Sequence, residues 1–223
     1  MGTRRDFIKR VFTGIASMGI ILEPISAITA IVHAATDKFI VPKGTARETL
    51  VNRDPKDLDT GELEITPLAE FRTMGLDDLD VDMDKWRLLV DGQVGKPLSL
   101  NYSELTNLPV IERNALLICP GFFVNNGAWR GVSVAELLKR AEAGNDVNYV
   151  TFRGPEGNYE KVLRVPLEDA LAGKVFLAYQ VNGEALPRKH GFPLRVVAEG
   201  YYGSDWVKYV YKVTADIVRP HER

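Results

Sequence analysis

A single cysteine, Cys119, in 223 residues removes two ways of holding a chain together. A disulfide framework needs paired cysteines, and so does a zinc site built on cysteine pairs. Stability must therefore come from a packed apolar core. With 45% hydrophobic and 26% charged residues, the chain has the make-up of a globular protein, which argues against disorder, collagen-like repeats and a polytopic membrane protein. Three histidines, His33, His190 and His221, are too scattered for a polyhistidine metal site. Lys+Arg 28 against Asp+Glu 30 leaves no basic excess to hold a phosphodiester backbone, so no nucleic-acid partner is expected.

The N-terminus has a different character. Thr3-Arg4-Arg5-Asp6-Phe7-Ile8-Lys9 precedes an apolar run from Val11 to Leu22, then Glu23-Pro24, then a second apolar run from Ile25 to Ala35. A charged stretch followed by an apolar one is a targeting pattern and is set aside from the fold. The paired arginines, with Phe and Lys at these offsets, resemble a twin-arginine export signal; a basic amphipathic first helix is the blander alternative. The first apolar run has 12 residues, short of the ~18–20 that span a bilayer. Val32-His33-Ala34 before Ala35 offers a small-residue cleavage site, and an uncut segment would serve as an imperfect anchor. The expected location is periplasmic or otherwise extracytoplasmic. The expected organisation is 1–35 signal or anchor, 36–64 an extended polar arm with Pro42, Gly44, Pro55 and Gly61, and 65–223 one body.

Within that body, Trp86–Val90 alternates as a strand and Asp91-Gly92 reads as a hairpin turn before 93–100. Ser103–Leu108 is a short helix candidate and 114–119 a buried strand. Ser133–Ala143 has helical spacing, with Ser133 as N-cap and Gly144 as terminator. Strands are expected at 149–152, 162–165, 175–181, 194–198 and 206–217, with a helical turn at 167–171. Aspartates at 77, 78, 80, 82 and 84 lack the central glycine and closing glutamate of a calcium loop, which leaves a solvated acidic loop. The sum is an α+β fold in which β dominates.

Two clusters invite chemistry. Cys119 ends an apolar run and is followed by Pro120-Gly121. A lone cysteine is usually a small buried hydrophobe, yet an unpaired thiol sits poorly in an oxidising compartment, and a thiolate is a soft metal ligand. His190, Arg195 and Lys208, interleaved with glycines, suit an anionic ligand such as a phosphate; a solvated basic turn is the alternative on composition.

The segments ITPLAEF (65–71), DKWRLLVDGQVGKPLSL (84–100), LLICPG (116–121), WRGVSVAELL (129–138), LPRKHGFPLRVV (186–197) and GYYGSDWVKYV (200–210) together resemble the molybdopterin-binding domain of the sulfite oxidase family. Within it, the chain is most similar to the short, exported methionine-sulfoxide reductase catalytic subunits. The resemblance implies a single sulfite-oxidase-type domain that binds molybdenum and molybdopterin. It implies that the Cys119 thiolate binds the metal. His190 and Arg195 would grip the pterin and its phosphate, and Lys208, with the backbone of Trp206 and Val207, would complete that grip. Arg72, Thr73 and Gly154 would be further cofactor contacts, while Trp129 and Gly131 read as packing. The implied activity is oxygen-atom transfer, with electrons exchanged with a separate membrane haem protein or cytochrome. In sulfite oxidases a cation shortly after the metal cysteine holds the anion. Residues 120–126 carry none and include Phe122 and Phe123, which favours a neutral sulfoxide over sulfite. A sulfite or small-anion dehydrogenase and a cofactor-free binding module are the alternatives.

Overall fold

The computed structural model of the chain describes residues 38–157 and 161–219; the expected signal, 1–35, lies outside them. From Ile40 onward these residues form one compact unit, and strand is the prevailing element, as the alternating patterns predict. In chain order the strands are β1 (Phe39–Ile40), β2 (Leu58–Asp59), β3 (Leu88–Gly92), β4 (Leu98–Leu100), β5 (Val110–Cys119), β6 (Phe123–Ser133), β7 (Tyr149–Arg153), β8 (Val162–Pro166), β9 (Val175–Val181), β10 (Glu184–Ala185), β11 (Arg195–Ala198) and β12 (Lys212–Asp216). The helices are α1 (Tyr102–Thr106), α2 (Val134–Arg140) and α3 (Leu167–Leu171).

Among the described residues two five-stranded sheets carry the fold. One runs β10-β9-β6-β5 with β11 also on β9; the other runs β4-β3-β12-β7-β8. Both feed one apolar core, to which Val132 and Leu177 come from the first sheet, Val90 and Val213 from the second, and Leu137 from α2. The helices are short and are fixed at their starts. Asn101 and Glu104 close a capping box on α1, and the Ser133 hydroxyl accepts from the Glu136 N–H at α2, each satisfying an orphan amide. Gly131 shows why β6 lies so close to β9: a Cβ there would stand 1.9 Å from the Leu177 carbonyl oxygen.

Four expectations are corrected. Asp91-Gly92 is no turn; both residues continue β3, opposite Thr214 and Ala215 of the parallel β12. α2 stops at Arg140, with Glu142 at φ 54°, before Gly144 is reached. The expected strand over 206–217 survives only as β12, because Tyr209 takes φ 56° and breaks the extended run. Lastly, the stretch read as a loose arm packs from Val41 onward. Val41, Leu50, Leu58 and Leu63 are buried against Leu116, Ile118 and Val124 of β5 and β6, and 3-10 turns at Arg47–Leu50 and Pro55–Asp57 bring them there.

Candidate functional site

Cys119 is the last residue of β5, and its ladder partner is Phe123, the first of β6. Only Pro120, Gly121 and Phe122 separate them, with Gly121 at φ 75° and the Phe122 N–H donating to the Cys119 carbonyl at 3.0 Å. Buried Leu116, Leu117 and Ile118 hold the strand below, so the thiol is delivered to the sheet's end. It faces a cavity of about 460 Å³. Burial pushes the Cys119 thiol up, and the positive charge of Arg72 pulls it partly back.

One end of the cavity is a buried cationic cradle. Arg195, 4% exposed, packs against two indoles, its Cζ 5.0 Å from the Trp129 ring and 5.5 Å from that of Trp206. Hydrogen bonds fix both indoles, from Trp129 Nε1 to the Ala115 carbonyl at 3.0 Å and from Trp206 Nε1 to that of Tyr201 at 3.2 Å. Arg195 Nη1 donates to the His190 carbonyl at 3.1 Å. Burial lowers the Arg195 pKa to about 9, so the guanidinium is charged at neutral pH. Lys208 Nζ donates to Thr73 Oγ1 at 3.0 Å and to the Lys189 carbonyl at 3.1 Å; burial, with Arg195 nearby, brings its pKa down to about 8. His190 is buried, and its pKa is lowered to about 4 by desolvation first, then by Arg195, Lys189 and Lys208. The imidazole is thus neutral, and its Nε2 has no hydrogen-bond partner. Gly191, at φ 105°, lets this turn press on Lys208: a Cβ there would stand 2.9 Å from that of Lys208.

The other end is the mouth. Arg72 Nη1 donates to the Phe122 carbonyl at 2.9 Å, and its Cζ lies 5.5 Å from the Phe123 ring. A cation does stand beside Cys119, supplied by a loop 47 positions upstream. Arg72 thus supplies the cation that the residues after Cys119 lack, and an anionic substrate stands level with a neutral one. Glu199, just past β11, pairs with Arg113 at 3.5 Å.

Of the expected site residues, Arg72, Thr73, Cys119, His190, Arg195, Trp206 and Lys208 line this one cavity. Val207 and Gly154 stand a layer behind it, where a Cβ on Gly154 would meet the Lys208 carbonyl at 3.0 Å and Val207 Cγ1 at 3.2 Å. Sequence reasoning missed Lys161 and Tyr209, which also line it. Nothing marks Lys161 in the sequence, and the alternation of 206–217 disguised Tyr209 as a strand residue.

Four cations, Arg72, Lys161, Arg195 and Lys208, line the cavity with no carboxylate among the described residues. A buried guanidinium without a counter-ion and an imidazole nitrogen without a partner are costly unless a ligand completes them. Together with a thiol in the same cavity, they suit an anionic cofactor that carries a soft metal. This donor set fits molybdenum-molybdopterin: Cys119 would hold the metal, and His190, Arg195 and Lys208 the phosphate end.

Comparison with known proteins agrees. The family described as the oxidoreductase molybdopterin binding domain matches residues 75–220, and the chain belongs to that family. Mitochondrial sulfite oxidase from Homo sapiens is 32% identical over 202 residues, 77% of this chain and 36% of the relative. The uncharacterized oxidoreductase YuiH of Bacillus subtilis is 34% identical over 122 residues, 54% of this chain and 60% of its own. Among solved structures, the sulfane dehydrogenase SoxCD from Paracoccus pantotrophus matches with a TM-score of 0.59 at 25% identity, over 65% of this chain and 41% of that one. The chain thus spans 60% or less of these relatives' lengths.

Proposed function

We propose that this chain is an exported oxygen-atom-transfer oxidoreductase acting on a small sulfur oxyanion, sulfite or a close analogue. The observation that carries this reading is the Arg72 guanidinium, held over Phe123 in the cavity that Cys119 lines. When bound, the molybdenum-pterin group supplies two-electron exchange of an oxygen atom. The chain supplies the rest. Arg72 binds and orients the oxyanion through charge-assisted hydrogen bonds, and Phe123 beneath it keeps water from one face of the guanidinium. Arg195, Lys208 and neutral His190 keep the cofactor's anionic end seated. Sulfite and water yield sulfate, two protons and two electrons, and a separate haem protein or cytochrome takes up the electrons. Two of the matched relatives are named for oxidising reduced sulfur compounds.

A second reading, reduction of a sulfoxide, rests on the apolar rim. Phe122 is 57% and Met74 49% exposed, and both would suit a neutral organic substrate. Steady-state kinetics with sulfite and with a sulfoxide, on protein exported through its own Arg4-Arg5 signal and loaded with about one molybdenum per chain, separate the two. Saturable sulfite oxidation that Arg72→Ala weakens supports the first reading. Turnover of the sulfoxide alone, indifferent to Arg72, replaces it with the second.

A further inference from the structure

We propose that Asn125 is a positioning residue for the substrate, acting through Arg72; this rests on the anion reading above. Asn125 lies on β6, 2% exposed. Its side-chain amide makes two hydrogen bonds, both to the backbone of Arg72: Oδ1 accepts from the Arg72 N–H at 3.1 Å, and Nδ2 donates to the Arg72 carbonyl at 2.8 Å. This pair imitates a β-bridge where no strand is present, and it fixes one residue of an otherwise irregular loop.

The register explains what is being fixed. Side chains two apart on a strand share a face, so Phe123 and Asn125 point the same way from β6. Cys119 sits opposite Phe123 across the ladder. The ring that carries the Arg72 guanidinium and the amide that grips the Arg72 backbone therefore belong to one face of one strand, indexed to the cysteine. On the loop side, Phe71 is buried, 6.0 Å from the Trp129 ring and 5.7 Å from that of His190. With Phe71 anchored inward and the Arg72 backbone clamped, the side chain starts from a fixed point, and its guanidinium lies above Phe123 with Nη1 on the Phe122 carbonyl. A substrate-binding cation on an exposed loop would otherwise lose binding strength to its own mobility, since orientation must be set before the ligand arrives.

The test uses the cofactor-loaded full chain, with inorganic sulfate as a competing anion and sulfite as substrate, in wild type, Arg72→Ala, Asn125→Ala and the double variant. In Asn125→Ala the Arg72 amide should exchange its hydrogen about tenfold faster or more, while the β6 amides stay protected. Sulfate inhibition and the sulfite KM should weaken roughly five- to tenfold, with the loss in KM rather than kcat. Arg72→Ala should cost about 10–100-fold, and the double variant no more than Arg72→Ala alone, because one residue acts through the other. Unchanged exchange at Arg72, or losses that multiply in the double variant, would overturn the inference. So would a wild type that binds no sulfate. If sulfate binds and Arg72→Ala abolishes that binding, but sulfite is not oxidised, the substrate reading falls and the clamp stands. Should Asn125→Ala fail to fold, Asn125→Asp keeps the volume and the acceptor for the Arg72 N–H but loses the donor; it should show the same pattern, and wild-type behaviour there would refute the clamp.

Discussion

The two ends of the cavity are built by opposite means. At the cradle, Arg195 is buried against two hydrogen-bonded indoles and His190 is buried beside it; its charged groups and its histidine come from the compact run 190–209. At the mouth, Arg72 is exposed, the ring beneath it comes from a hairpin, and the rim residue Phe122 projects into solvent. The contrast suits the two ligands proposed for them. A resident cofactor rewards a receptor formed in advance, with desolvated charge as its grip. A substrate that must leave each cycle is better held by a solvated cation whose placement, not burial, supplies the selectivity.

Substitutions should separate these ends, beginning with the harshest. Cys119→Ser should abolish turnover while the circular dichroism spectrum and melting temperature stay near wild type; normal rates in that variant would remove the thiolate from the mechanism. Arg195→Ala with Lys208→Ala should yield protein without molybdenum, since each charge-assisted contact is worth about 1.5–3 kcal/mol. Elemental analysis showing full occupancy would move the phosphate grip elsewhere. Gly191→Ala, forced to φ 105° against the Lys208 side chain, should cost about 1–3 kcal/mol of stability and loosen the cofactor, read by denaturant titration and molybdenum content; Gly121→Ala at the mouth carries only the strain of φ 75° with no neighbour to meet its Cβ, and should cost about 1–2 kcal/mol with the cofactor left in place.

Two pH effects are smaller and confined to the cradle. Lys208 deprotonates near pH 8, so the cofactor-free protein should bind anions less tightly as pH rises through 8, and Lys208→Arg should flatten that fall. His190 titrates near 4 in the folded chain against about 6.5 unfolded. The unfolded state therefore takes up its proton first, and the contribution of neutral His190 is complete above about 6.5 and lost as pH falls toward 4. Melting curves of the cofactor-free protein over that interval, compared with His190→Gln, should show a shallower acid decline in the variant.

What the sequence disclosed follows the same division. The cradle was legible because its residues are local, charged and spaced by glycines, and β9 and α3 fall where the apolar patterns put them. The mouth was not. Its cation comes from an irregular loop whose backbone at Arg72 is held by the Asn125 amide, and β6 itself went unread because Asn125-Asn126-Gly127 is a poor strand sequence. Residues 41–64 hid for another reason: their buried side chains are spaced too irregularly for either periodicity, and prolines and glycines dominate the impression.

That packed stretch bears on how the protein is cut for study. The match to the family begins at residue 75, a natural place to start a shortened version for expression. Such a cut would strip Val41, Leu50, Leu58 and Leu63 from Leu116, Ile118 and Val124, leaving a greasy face on the strand that ends at Cys119. It would also discard Arg72 and Thr73. A truncated product that clumps or loses its metal would then reflect the position of the scissors rather than the chemistry of the site, and the shortest faithful piece begins ahead of Val41.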